Sequence, residues 1–397
     1  MGELFSLDNP IQNYAWGSRE TLGLMRGVPV PTEAPEAELW VGAHSSAPSL
    51  AHVDGGAQPL DTLVAQNPDR FLNPRRENNI FPFLFKILAI ESPLSIQVHP
   101  TAQQAARGYR EEEARGVALD DPTRNYKDQF SKPETVIALT PMRILTGVRD
   151  FAELRGFAAT LKLDWLNGVL AQAKTPRDLL VAIVRIPQDA ASTATAKTVK
   201  AARKWAKKHK DAQEQNSAIA GAVELVALVD AKYPGDRGLL LALVMNLLHL
   251  KPGDAVFTPD GQVHAYVSGT ALELMYPSDN VMRAGLTSKH VDEEELITAL
   301  GEHQNIPTIQ RPAAGPLATY TMWDERLSVT RLSVTEGEEL ALPLEGVAVT
   351  LCTAGTVVVR DETKTFTLTG TQSVMYVGDP AQLSVAGQGE LYIAAQR

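Results

Sequence analysis

The hydrophobic period of this chain changes repeatedly between its ends, and that switching limits the fold more than any other feature. Over residues 1 to about 150, short apolar runs are broken by Gly, Pro, Asn and Asp. This is a strand-and-turn pattern, with FPFLFKILAI (81–90) and LSIQVHP (94–100) as its clearest buried strands. From Asp150 to about Ala231 glycines thin out and apolar residues recur at helical spacing, as at Ala220, Val223, Leu225, Val226 and Val229. The run from Gly238 to Leu250 fits either a helix or a buried strand. Strand character returns in DAVFTP, HAYVSG and ALELMY. Beyond a Pro-containing link, Ile306 to Pro316, the tail reads as short strands at hairpin spacing with glycines at the turns, a sandwich or jelly roll of its own. At 397 residues the chain exceeds what one core usually holds. We expect a mainly β protein with a helical insert: residues 1–149 plus 238–305 as one β domain, 150–237 as the insert, and 306–397 as a C-terminal jelly-roll-like β domain.

Charge narrows the partners. The net charge of −10 argues against a nucleic-acid or anionic-membrane surface, both of which need a cationic face. Lys197, Lys200, Arg203, Lys204, Lys207, Lys208 and Lys210 do crowd one predicted helix with Trp205, but in so acidic a chain they read as a solvated outer face. The single cysteine, Cys352, cannot form an internal disulfide and fits a reducing cytoplasm. The start, MGELFSLDNP, does not read as a secretory signal. No stretch reaches the roughly 18 apolar residues of a membrane span; Asn246 and His249 interrupt the longest candidate. A cytoplasmic protein is expected.

The most specific local signal is GDAVFTPDGQVHAYVS (253–268), in which Gly253, Pro259, Gly261 and His264 keep the spacing of the second cupin motif. Ser268 stands where that motif normally ends in Asn. A tight Pro–Asp–Gly turn joins two strands of a small barrel and delivers one imidazole to its interior. In Gln97-Val98-His99, residues i and i+2 of a strand point to one face, so an amide oxygen and a second imidazole converge. Lys132-Pro133-Glu134 adds a carboxylate. Any one of these is commonly a hydrogen-bonded or surface residue. Together they form an N/O donor set suited to one Zn2+, with room for water or substrate. His44, His52, His209, His249, His290 and His303 lack comparable context and are read as non-ligands.

These residues sit in strings that resemble the type I phosphomannose isomerases: QNYAWGS (12–18), AELWVGAHSSAPS (37–49), FPFLFKIL (81–88), PLSIQVHP (93–100), YKDQFSKPE (126–134), HAYVSGTALELM (264–275) and SDNVMRAGLTSKHVD (278–292). The resemblance runs in order from the N-terminus to about residue 292; beyond it and in the insert it is one of layout. It implies a metal-binding cupin catalytic barrel, a helical domain and a second cupin-like β domain without metal. It further implies a zinc enzyme that interconverts mannose 6-phosphate and fructose 6-phosphate, acting as a monomer on a small sugar phosphate. Position by position, the family's metal ligands fall on Gln97, His99, Glu134 and His264, and its catalytic arginine on Arg283. Its other cleft residues fall on Trp16, Lys86, Ser95, Lys132, Tyr266, Glu273 and Lys289. One departure stands out: Ser131 replaces the family's His before the Lys. A smaller one is Val263, where the family often has Pro.

Aldose–ketose isomerisation passes through an enediolate, so it needs a base at the carbon proton, an electrophile at the oxyanion and an anchor for the phosphate. Lys86, Lys132, Arg283 and Lys289 are the cations available for that charge. Arg283 is expected against the reacting oxygens, since a guanidinium stays charged. Lys132 and Glu273 are expected to move protons, Ser95 and Lys289 to bind phosphate, and Trp16 and Tyr266 to wall the cleft. Trp16 as plain core and Glu273 as a mere ion-pair partner are the simpler alternatives. An iron oxygenase would explain neither the cations nor the glutamine. A catalytically inactive sugar-phosphate-binding cupin is the competing reading, and Ser131 is its main support.

Overall fold

A computed structural model describes residues 2–73, 76, 78–209 and 217–396. The protein is mainly β with a helical insert, built on two sheets. The hub is the twelve-residue strand His264–Met275. Its C-terminal half lies between Leu84–Ile90 and Glu134–Ala138, with Glu273 opposite both Lys86 and Val136. Its N-terminal half turns to pair with Met142–Val148, and His264 stands opposite Gln97 of Ile96–Val98. The register shifts between Tyr266 and Ser268, and Gly269 follows at φ +117°. A Cβ there would meet Pro141 O at 2.8 Å, so only glycine lets the strand bend across its neighbour. Glu38–Val41 pairs with Leu84–Ile90, and Met282–Gly285 with Ile96–Val98, placing Arg283 opposite Gln97.

Alternation sorts the side chains. On the hub's C-terminal half, Leu272 and Leu274 face one core with Phe85, Ile87 and Ala89, while Ala271 packs in another with Leu88, Ile90, Val136 and Ala138. On the other half, Ala265 and Val267, with Val263 just before the strand, join Ile96 and Val98 in the core of the helical insert. That insert runs through Phe151–Leu161, Asp164–Gln172, Pro176–Val184, Gln188–Lys208 and Ala218–Lys232. Its helices start where the sequence supplies caps. The Asp150 side chain accepts from Ala152 N, Thr175 and Asp178 form a capping box, and Ser217 accepts from Ala220 N. The apolar run 238–250 is both of its readings in succession: the helix Gly238–Val244, buried on every face, then the strand Met245–Leu250.

The second sheet draws on both ends of the chain. Glu3–Asp8 pairs with Ser373–Gln396 and with Leu50–Val53, so strands from the first sixty residues complete the C-terminal sheet. Most of the short strands read in the tail merge into two long ones, Glu339–Arg360 and Ser373–Gln396, while Thr365–Thr369 stays separate. Leu272 shares a core with Tyr320, Val329, Val349 and Met375 of this sheet. Leu272→Ala, at a fully buried position, is expected to lower stability by about 2–5 kcal/mol. Leu317→Ala, at a position 49% exposed, should change it by no more than about 0.5 kcal/mol. Chemical denaturation of the two variants beside the parent measures both.

Candidate metal centre and cleft

His99, Glu134 and His264 are buried, and their ligand atoms lie within 4.8 Å of one another. Each arrives by backbone geometry. Gln97 and His99 project opposite to Val98, which is held in the helical core. His264 follows the Pro259–Asp260–Gly261 turn, where Gly261, at φ +78°, donates its N–H to His99 O at 2.8 Å. Glu134 opens its strand two residues after Lys132.

The carboxylate of Glu134 is the centre of the constellation. Oε1 accepts from the Tyr266 hydroxyl at 3.0 Å and faces His264 Nε2 at 3.0 Å. Oε2 accepts from Lys132 Nζ at 3.1 Å and faces His99 Nε2 at 3.4 Å. On each imidazole the other nitrogen is engaged by a carbonyl: His99 Nδ1 with Asn280 O at 2.8 Å, His264 Nδ1 with Gln262 O at 3.0 Å. Nδ1 must therefore carry the proton in the neutral ring, leaving an Nε2 lone pair aimed at a carboxylate. Lone pair against anion is repulsive without a cation between them. His99 Nε2 is indeed buried without a hydrogen-bond partner, and burial holds the His99 imidazole down at about 4, neutral at physiological pH. For Glu134, burial opposes charge, yet the Lys132 ammonium holds the carboxyl well below the usual range. Two imidazole Nε2 atoms and one carboxylate suit zinc. The Gln97 amide nitrogen donates to Ser95 Oγ at 3.0 Å, and the residue lines the inner pocket beside His264.

A cleft of about 620 Å³ leads to this centre, within the usual range for small-molecule sites. It deepens into an inner pocket of about 60 Å³ between Lys86, Gln97, Lys132, Glu134, Tyr266 and Glu273. Trp16, stacked on Tyr14, and Leu94 wall one side. Lys86 lies between two carboxylates, 3.2 Å from Glu38 and 3.5 Å from Glu273, with its ammonium 4.8 Å from the centre of the Trp40 ring. Burial alone would depress that ammonium, but the two acids outweigh it and hold it above its ordinary value. Glu273 is raised by burial and by the charge of Glu134, against the pull of Lys86 and Lys132. Tyr266 is raised by burial and by both acids, so it remains a phenol. Arg283 and Lys289 line the outer part and are lowered, chiefly by burial.

Every residue expected at the site lines the cleft, its inner pocket or the ligand cluster. The basic run falls elsewhere: Lys200, Arg203, Lys204, Lys207 and Lys208 line a groove on the helical insert that shares no residue with the cleft. Lys210 lies outside the described residues. Sequence reasoning missed Glu38, whose strand alternation with Trp40 was the available signal. It also missed Asp279, which lines the cleft 3.4 Å from His44, a histidine set aside for want of context.

Comparison with known proteins decides the family. The chain is 31% identical over 402 residues to the mannose-6-phosphate isomerase of Salmonella typhimurium, covering 97% of each chain. The protein belongs to the mannose-6-phosphate isomerase family. Residues 4–151 match the model of the phosphomannose isomerase type I catalytic domain. Among solved structures, a zinc-bound mannose 6-phosphate isomerase superposes with a TM-score of 0.86 at 27% identity over 99% of each chain. The Salmonella typhimurium mannose 6-phosphate isomerase bound to substrate and zinc gives 0.85 at 27% identity, again over 99% of each chain.

The departure from this family at Ser131 acquires a neighbour in three dimensions. Asp260, in the turn before His264, lies against the Ser131 hydroxyl and the Lys132 amide. Burial pushes its carboxyl up to about 6, and one of its oxygens is buried without a partner. A carboxyl raised on folding binds more protons when folded, so it subtracts stability above about pH 6 and ceases to do so below about pH 4. Asp260→Asn should therefore raise the melting temperature at about pH 7.5, and that gain should vanish near pH 4. Thermal unfolding across this range tests the sign.

Proposed function

We propose that the protein interconverts mannose 6-phosphate and fructose 6-phosphate at a single zinc site held by His99, Glu134, His264 and the Gln97 amide. The observation that carries the reading is the imidazole geometry: Nδ1 of His99 and of His264 is engaged by a backbone carbonyl and both Nε2 atoms face one buried carboxylate, at the floor of a cleft rich in cations. Zinc, when bound, supplies Lewis-acid polarisation of the sugar's C1 or C2 oxygen.

The remaining work falls to side chains of the cleft. In the aldose-to-ketose direction a proton leaves C2 and one arrives at C1, while the hydroxyl proton passes from O2 to O1. Glu273 suits proton transfer because burial and Glu134 raise its carboxyl toward neutrality, and the Lys86 ammonium holds it in place. Lys132, which donates to Glu134, is the second proton carrier. Arg283 lies opposite Gln97 on the neighbouring strand and faces the reacting oxygens with a permanent charge. Ser95 and Lys289 bind the phosphate. Trp16 and the Tyr266 phenol close the cleft against water.

The protein is read as a cytoplasmic monomer acting on a small sugar phosphate, without a nucleic-acid or membrane partner. Support comes from the buried free thiol of Cys352 and the net charge of −10. No helix among the described residues is long and apolar enough to cross a membrane.

Formation of fructose 6-phosphate from mannose 6-phosphate, measured before and after chelation, tests the reading. Activity should disappear on stripping and return with zinc, and Glu134→Gln should lose bound zinc and turnover together. Turnover that survives complete metal removal would dismiss the zinc role. Arg283→Ala is expected to cut kcat by about 10²–10³-fold at unchanged zinc content, as removal of an oxyanion-stabilising donor does. Near-normal turnover would remove Arg283 from the mechanism.

A further inference from the structure

We propose that Lys232, the last residue of the helix Ala218–Lys232, is a substrate-anchoring residue that joins Ser95 and Lys289 in gripping the sugar's phosphate. The inference rests on the isomerase reading above and extends it, because it makes the helical insert part of the substrate site.

The cations of the cleft fall into two groups. Lys86 and Lys132, at the floor, are each matched to a carboxylate within 4 Å. Lys232, Arg283 and Lys289 line the outer cleft, and none of the three forms an ion pair among the described residues. Burial and then the Arg283 charge depress the Lys289 ammonium, with Glu38 alone pulling the other way from beyond ion-pair distance, so like charges are held together with little compensation. A cluster of that kind is stable in the presence of a polyanion, and the substrate carries a phosphate of nearly two charges.

The backbone fixes Lys232 at this place. The hydroxyl of the next residue, Tyr233, donates to Pro93 O at 2.8 Å, tying the helix end to the segment that leads into Ser95 and Gln97. Asp236 accepts from Gly238 N at 2.7 Å with one oxygen and from Thr287 N at 3.4 Å with the other, joining the end of the insert to the loop that carries Lys289. Gly285 passes so close to Gly238 that a Cβ on it would stand 2.5 Å from the Gly238 Cα. Directly after it, buried Leu286 adopts φ +55°, a left-handed turn that sends Thr287, Ser288 and Lys289 to the cleft. The insert and the phosphate loop are thus held in one register.

A lysine in the last turn of a helix also favours the helix dipole. That role alone affects stability and leaves substrate affinity untouched, which makes the two separable. In the zinc-loaded full chain, Lys232→Ala should raise KM for mannose 6-phosphate about fivefold with kcat within about twofold, as loss of one charge-assisted contact at an exposed site does. Lys232→Glu should raise KM further, and Lys232→Arg should restore it. Inorganic phosphate, titrated calorimetrically, should bind more weakly to the Ala and Glu variants in the same order. Unchanged KM and unchanged phosphate affinity in both would overturn the proposal, as would a loss confined to thermal stability. If the parent protein shows no turnover, the isomerase reading fails by itself, while the phosphate titration still decides for or against Lys232.

Discussion

Two strand segments, Ile96–Val98 and the first half of His264–Met275, divide their side chains between a metal centre and a hydrophobic core, and the site is built on that division. Ile96, Val98, Val263, Ala265 and Val267 are locked into the core shared with the helical insert. Because a strand alternates, that burial forces Gln97, His99, His264 and Tyr266 to the opposite face. A slip of one residue would place imidazoles in the apolar core and valines at the metal, so the register is fixed by a penalty on both faces at once. The helical insert thereby acts as the backing that orients the ligands from behind.

Electrostatics then decides how charge is tolerated so deep in the fold. Glu38, Glu134 and Glu273 face Lys86 and Lys132, with Glu134 also between two imidazoles. Removing any one partner would strand a buried charge, which is why these groups behave as one network and single substitutions there will not add. The network also separates the two acids. Glu134, beside Lys132, is held well below the usual carboxylate range, while Glu273, buried and facing the negative charge of Glu134, is raised above it. The carboxylates differ in environment rather than in kind, and environment assigns the chemistry.

What could be read from the sequence was what local spacing encodes. The turn before His264, the i,i+2 pair at Gln97 and His99, the change to helical period near Asp150 and its return were all visible, because each is a pattern within about fifteen residues. Gly238–Leu250 was ambiguous for a physical reason: helix and strand follow each other with no polar break until Asn246. The pairing of Glu3 with Val377 has no local signature at all. Glu38, Lys232 and Asp260 were invisible for a related reason. An isolated acid or lysine in an ordinary string acquires its setting only through neighbours supplied by distant segments, as Glu38 does through Lys86 and Asp260 through Ser131.

The contrast between inner and outer cations follows from the substrate itself. The reacting end of the sugar is neutral before the reaction and becomes anionic only at the enediolate, so excess positive charge there would favour adventitious anions over the sugar. The floor is accordingly balanced, with its lysines paired to acids. The phosphate end is charged throughout, and there the cations can remain unmatched until substrate arrives. Binding energy gathered at that remote charge is available to hold C1 and C2 against the ligand face, where alignment rather than affinity limits the rate.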